Sequence, residues 1–151
     1  MIRSTRAILA ATLLAVAVVP SAAADAATVT RGDVHAFAAG AGMELAGRTQ
    51  MVRSADGKTI VTVHVTGLTP YTAYGAHVHQ QACGVGDADG HYRFDPAGTA
   101  APPNEIWPGF TTDADGVGNG RAIVDGTAGP TAVSVVIHAP GGAKVACADL
   151  E

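Results

Sequence analysis

The chain has 151 residues, 15% of them charged, and a formal net charge of −4 at pH 7. This length suits one domain with a substantial core and is too short for two. The basic residues are scattered through an acidic chain, which argues against a nucleic-acid partner or an anionic-membrane surface.

The N-terminal region has the organisation of a secretory signal peptide. The basic segment MIRSTR precedes an apolar run of 13 residues, and the small-residue stretch SAAADAA follows. The apolar run is shorter than the roughly 20 residues that cross a bilayer, although a retained membrane anchor is the alternative. We therefore predict a signal peptide at residues 1–24, with cleavage after Ala24 or Ala26, and a secreted, periplasmic or extracellular protein. The mature domain, residues 25–151, would have seven basic and 13 acidic residues and a net charge of −6.

Two cysteines, Cys83 and Cys147, remain after cleavage. In an oxidising compartment an even pair is typical of one disulfide bond, here closing a loop of about 65 residues. The alternatives are two free thiols or two thiolate metal ligands, although neither cysteine has the spacing of a zinc motif.

The mature chain has the pattern of an all-β domain, in which short apolar or alternating runs recur between turn signals. The run TIVTVHV, residues 59–65, alternates and predicts a strand with its valines on one face. A second strand is predicted at residues 121–124, and AVSVVIH at residues 132–138 predicts a buried one. Residues 80–108 indicate a long loop, and a loop of that length inside a compact domain is usually functional.

Two closely spaced histidines form the first candidate site. In GAHVHQ, His77 and His79 would project from the same face of a strand, with Val78 pointing the other way into the core. Two imidazoles held side by side make half of a metal site for copper, zinc, iron or nickel. Taken alone, this H-x-H pattern fits a pair of surface histidines equally well.

Two further histidines strengthen the metal hypothesis. His91 lies in the glycine-rich loop, within GHYRF, and His138 ends the apolar strand SVVIH, where it can enter a site at the edge of the sheet. The remaining histidines, His35 and His64, are interpreted as structural or exposed.

Several motifs occur here in the order of a known protein family. GAHVHQ is followed by a cysteine and then by GHYRFDP, SVVIH and KVAC, and the stretch VTGLTPYTAY precedes the first motif. In these motifs, residues 58–149 resemble the copper/zinc superoxide dismutases. The resemblance implies a Greek-key β-barrel or sandwich of about eight antiparallel strands, with an immunoglobulin-like architecture.

The same resemblance implies a copper site. Position by position, copper would bind His77, His79, His91 and His138, and Cys83 and Cys147 would form the family disulfide. His91 matches the histidine that bridges copper and zinc, and it would release and rebind copper during the catalytic cycle.

The zinc half of the family pattern is missing from this chain. No histidine lies between Tyr92 and Ile137, so zinc is not expected. The family includes copper-only members, in which a carboxylate near the vacant zinc position orients the former bridging histidine. Glu105, beside Trp107, is the predicted partner of His91, and Asp95 is the competing carboxylate, although its position before Pro96 is typical of a turn.

The sequence departs from the family near its last cysteine as well. Only HAPGGAKVAC separates His138 from Cys147, so the family's electrostatic loop is absent and copper should be open to solvent. Lys144 stands where the family has its active-site arginine, and it would attract the superoxide anion without the rigid fork of a guanidinium.

Two functions are therefore compatible with the sequence. The first is an exported, copper-dependent superoxide dismutase, in which copper alternates between Cu(II) and Cu(I) as superoxide is converted to oxygen and hydrogen peroxide. The second is a secreted copper-binding module for storage or delivery that keeps the ligands with little turnover. A metal-free structural domain would leave four matched histidines idle.

Overall fold

A computed structural model of the chain describes residues 26–151. The predicted signal peptide lies outside the described residues and stays a prediction. The described chain contains no helix long and apolar enough to cross a membrane. Its strands are β1 (Thr28–Asp33), β2 (His35–Ala36), β3 (Ala46–Arg53), β4 (Lys58–Thr66), β5 (Ala73–His79), β6 (Phe110–Thr111), β7 (Gly118–Asp125), β8 (Ser134–His138) and β9 (Lys144–Asp149), with one 3-10 turn at Ala38–Gly40.

The strands form two antiparallel sheets, so the all-β prediction is confirmed. One sheet has the order β1-β3-β4-β7, and the other has the order β2-β9-β8-β5-β6. Strand β4 pairs with β7 in one sheet, and β5 pairs with β8 in the other. Such pairing between strands distant in sequence is typical of a Greek-key sandwich. Within residues 26–151 the two sheets form a sandwich. The sequence allowed either a barrel or a sandwich, and no closed barrel is found among these residues.

Alternation along β4 explains why this segment is a strand with one buried face. Val61, Val63 and Val65 are at most 2% exposed and lie in the core between the sheets. The residues between them, which include Thr62 and His64, point outward. The strand predicted at residues 59–65 is therefore confirmed and extends by one residue at each end.

Strand β8 is buried along its whole length because both of its faces are covered. Val135 and Ile137 pack in the core between the sheets. Val136 points the other way and packs against Cys83, Ala88 and Cys147, beneath the long loop that follows β5. Within residues 80–109 of this loop, strand-like pairing is limited to one isolated bridge, which joins His91 to His79 at the end of β5.

The predicted disulfide is confirmed. Cys83 and Cys147 are bonded, with 64 residues of sequence separation. Cys147 lies in the middle of β9, and the N–H of Cys83 also donates to the Asp149 carboxylate at 2.8 Å. The bond therefore fastens the start of the long loop to the five-stranded sheet.

Removing the disulfide should destabilise the protein strongly. A disulfide that closes a loop of this length contributes about 4 kcal/mol to the free energy of unfolding on the chain-entropy model. We expect the Cys83→Ser/Cys147→Ser double variant to lose about that much in urea unfolding of the metal-free protein. An unchanged unfolding midpoint would show that the bond does not stabilise the fold.

Candidate metal centre

The pairing of β5 with β8 brings three histidines together. His77 and His79 lie two residues apart on β5, on the face opposite to the core residue Val78. His138 is directly across from Gly75, which places it diagonally next to His77 on the same face. Because Gly75 has no side chain, the imidazole of His77 and the Cβ of His138 lie beside it, each about 3.7 Å from where a Cβ would stand.

The fourth histidine comes from the long loop, which is hydrogen-bonded to the end of β5. Tyr92 donates its N–H to the carbonyl of Val78 at 2.8 Å, and Gln80 donates to the carbonyl of Gly90 at 3.1 Å. These bonds flank the antiparallel bridge between His79 and His91. His91 is therefore placed by backbone pairing.

The four imidazoles form one cluster that can hold a metal ion. Each of His77, His79, His91 and His138 offers one ligand nitrogen, and these atoms all lie within 4.8 Å of one another. The ring centroids of His77 and His91 are 4.2 Å apart, and those of His77 and His138 are 4.7 Å apart. Four nitrogen donors at these separations can surround one metal ion.

The hydrogen bonding of the rings fits such a role. Three buried nitrogens find no hydrogen-bond partner within residues 26–151: His77 Nδ1, His79 Nε2 and His138 Nε2. The opposite nitrogens of two of these rings are engaged, since His79 Nδ1 bonds to the Ala88 carbonyl and His138 Nδ1 bonds to the Gly142 carbonyl at 3.2 Å. A ring that donates one N–H to a carbonyl keeps its other nitrogen as a free lone pair, as a metal ligand requires.

Burial keeps these rings uncharged. It lowers the pKa of His77 from 6.5 to about 4 and that of His79 from 6.5 to about 3, with repulsion from His91 and His138 adding to the effect. Burial also lowers the pKa of His138. These three histidines are therefore neutral at pH 7, which is the protonation state that binds metal.

Glu105 supports His91 from the side. Its carboxylate oxygen Oε2 accepts hydrogen bonds from His91 Nδ1 at 2.7 Å and from Trp107 Nε1 at 2.8 Å, while Oε1 accepts from Arg93 Nε at 2.9 Å. The side chain of Glu105 is 1% exposed. Burial raises its pKa, but the hydrogen bonds from His91, Trp107 and Arg93 together outweigh burial and lower it. An ionised carboxylate accepts only, so His91 must donate from Nδ1, and its Nε2 keeps a lone pair.

The other candidate carboxylate has a different role. Asp95 accepts the N–H of Ala97 at 2.9 Å, and its own backbone is held by the side chain of Asn104. It is therefore a turn residue, and Glu105 makes the contact with His91 that the sequence predicts. Arg93 was missed by the sequence analysis, although the alternation in H-Y-R places it on the same side of the chain as His91.

The remaining predicted residues divide between the site and the rest of the surface. Lys144 lines a cleft together with His79, His91 and Glu105, and its ammonium donates to the carbonyl of Asp87 at 2.7 Å. His35 is exposed on β2, and His64 lies on the outer face of the other sheet, as expected for histidines outside the site.

No protein-family model matches the chain, and no curated protein sequence matches it. The fold and the site define a disulfide-bonded β-sandwich with a cluster of four histidines that can hold a metal ion.

The stability of the metal-free protein should fall on mild acidification. Histidines with a lowered pKa bind fewer protons in the folded state than in the unfolded state, so stability falls progressively as the pH drops from the unfolded pKa of 6.5 toward the folded value, which is about 3 for His79. We expect the melting temperature to decrease between pH 6.5 and 4.5, and His79→Gln to flatten that decrease. The exposed His64→Gln variant is the control and should keep the slope of the parent. A melting temperature constant over this range would contradict the assignment of neutral, buried imidazoles.

Proposed function

We propose that the protein is an exported, copper-only superoxide dismutase and a zinc-lacking member of the copper/zinc superoxide dismutase family. The observation that carries the proposal is the four-histidine cluster with the Glu105 carboxylate bonded to His91. The family motifs predict these four ligands together, and the carboxylate occupies the ring nitrogen that a bridging histidine would offer to a second metal. The disulfide is compatible with an oxidising compartment outside the cytoplasm.

Copper is the metal that this donor set favours. Four neutral imidazoles suit tetragonal Cu(II), and copper binds most tightly in the divalent series. A second site for zinc has no histidines available, because none lies between Tyr92 and Ile137 and His91 Nδ1 is already bonded to Glu105. We therefore expect copper as the cofactor, without zinc.

Bound copper would supply the one-electron chemistry, accepting an electron from one superoxide to release oxygen and returning it to a second superoxide, which takes up two protons to give hydrogen peroxide. The protein supplies the rest. His77, His79 and His138 are set on strands, so the ligand geometry is rigid. Glu105 keeps the proton of His91 on Nδ1, which orients that ring.

The cleft provides access and a positive charge. The side chain of His91 is 30% exposed, and only five residues separate His138 from Lys144, so little chain covers this side of the site. Lys144 presents an ammonium group in the same cleft as His79 and His91. A cation at the mouth of a cleft attracts small anions such as superoxide.

The second candidate function is a copper-binding module for storage or delivery. The hydrogen bonds of Lys144 favour it to some extent, since the ammonium donates to the carbonyl of Asp87 at 2.7 Å and lies 3.4 Å from that of Ala88. That carbonyl of Ala88 also bonds to His79, so the lysine has a structural task besides any interaction with substrate. Superoxide consumption separates the two functions.

The copper-loaded mature protein should consume superoxide catalytically. Pulse-radiolysis decay of superoxide should accelerate in proportion to protein concentration and should exceed the rate given by the same protein after copper removal. Free copper with a chelator is the control for adventitious ions. Tight copper binding without acceleration would support the storage or delivery module in place of the enzyme.

Charge reversal at Lys144 should slow the reaction in a salt-dependent way. We expect Lys144→Glu to lower the second-order rate constant severalfold at low ionic strength, because the anion is then repelled from the cleft, and added salt should narrow the difference by screening. Lys58→Glu changes the net charge equally at the half-exposed start of β4, in the other sheet, and should have a much smaller effect. A loss that persists unchanged at high salt would assign Lys144 to holding the Asp87 and Ala88 carbonyls.

A further inference from the structure

We propose that Arg93 is a positioning residue of the metal centre, whose guanidinium holds the Glu105 carboxylate in the orientation that fixes the ring of His91. The inference deepens the proposed function and depends on it only for the metal that occupies the site. It concerns a residue that touches no ligand nitrogen and acts through its neighbour.

The chain segment that carries Arg93 is held by a backbone hydrogen bond on each side of that residue. Tyr92 donates its N–H to Val78 at 2.8 Å, and Phe94 donates its N–H to Asn104 at 3.0 Å. The rings of Tyr92 and Phe94 pack edge to face, 5.4 Å apart, against the core. Alternation along this segment therefore sends His91 and Arg93 to the same side, where both reach Glu105.

Three side chains donate hydrogen bonds to Glu105, two of them to one carboxylate oxygen and one to the other. Oε2 is shared by His91 and Trp107, whereas Oε1 is held by Arg93 at 2.9 Å. The terminal torsion of a glutamate is broad, so bonds to one oxygen alone leave the carboxylate free to turn. The bond from Arg93 removes that freedom and keeps Oε2 directed at His91 Nδ1.

Arg93 also balances the charge of the buried carboxylate. Among the described residues that contact Glu105, Arg93 alone carries a permanent positive charge, because the indole of Trp107 is neutral and a ligating His91 is neutral as well. Glu105 is 1% exposed, so water cannot supply this compensation. The ion pair therefore stabilises the acceptor on which the orientation of His91 depends.

A second ion pair in the chain provides a matched comparison. Arg48 contacts Asp33 at 2.9 Å, the same separation as between Arg93 and Glu105, but both of its side chains are largely exposed, at 66% and 77%. An exposed pair of this kind contributes little. Arg48→Gln is therefore the control for removing an arginine and its ion pair at a distance from the histidines.

The experiment is a double-mutant cycle read by Cu(II) affinity in chelator competition. We expect Arg93→Gln to weaken binding about tenfold, as for other residues that orient ligands, and Arg48→Gln to leave it unchanged. In a Glu105→Gln background, Arg93→Gln should change affinity less than about twofold, because its effect passes through the carboxylate. An unchanged affinity in Arg93→Gln, or an equal loss in both backgrounds, would overturn the inference.

A metal-free measurement separates this inference from the proposed function. In ¹⁵N-labelled protein without metal, His91 should show one tautomer with its proton on Nδ1, and Arg93→Gln should shift the population toward the Nε2-protonated form. If that shift occurs in a protein that proves not to be a dismutase, the role of Arg93 stands and the proposed function falls. If the tautomer is unaffected, the role of Arg93 falls, whatever the activity. If Arg93→Gln does not fold, Arg93→Lys can replace it, because lysine retains the charge without the planar fork of the guanidinium. Arg93→Lys should give a smaller shift of the His91 tautomer population toward the Nε2-protonated form. A ¹⁵N spectrum of His91 identical to that of the parent would count against the inference.

Discussion

The register between β5 and β8 is the constraint on which the histidine cluster depends. It sets His138 opposite Gly75 and diagonal to His77, so that these rings share a face with His79. Side chains alternate strictly along a strand, so a slip of one residue would turn His138 into the core and Ile137 out of it. The burial of Val78, Val135 and Ile137 on the other face opposes that slip, and the hydrophobic core thereby fixes the positions of the histidines.

The long loop between β5 and β6 completes the histidine cluster. Sheet strands supply three of the clustered histidines, and the fourth, His91, and its support, Glu105, both come from residues 80–109. The disulfide fixes the start of this loop, and the backbone pairing of Tyr92 with Val78 fixes its middle. Near the end of the loop, the carbonyl of Ile106 accepts a hydrogen bond from the N–H of Val78 on β5. Ile106 is also fully buried, which anchors the neighbouring Glu105. The loop is irregular in outline yet held at the points where it meets the site.

Parts of this arrangement follow from the sequence because they depend on local patterns. The alternation of β4 and the H-x-H spacing on β5 each specify a face without reference to the rest of the chain. Other strands were not predicted: β1 and β3 place Val29 and Val52 on the outer face of the sheet, across from each other, which obscures their alternation. The two-residue β2 likewise has no pattern to detect.

The contacts across the site depend on how the loop is folded, and single-sequence patterns carry little of that information. The partnership of Glu105 with His91 was predictable only because a family resemblance suggested it and Asp95 preceded a proline. The bonds of Arg93 to Glu105 and of Lys144 to the carbonyl of Asp87 join residues far apart in sequence and have no such signal. They depend on the path of the loop, which brings these residues together.

The central claim is that one four-histidine centre selects copper and leaves no place for zinc. The direct measurement is elemental analysis of the metal-free mature protein after anaerobic exposure to equal amounts of copper and zinc and removal of loosely held ions. We expect one copper per chain and no zinc. Copper and zinc retained together in equal amounts, or zinc retained in place of copper, would contradict this claim.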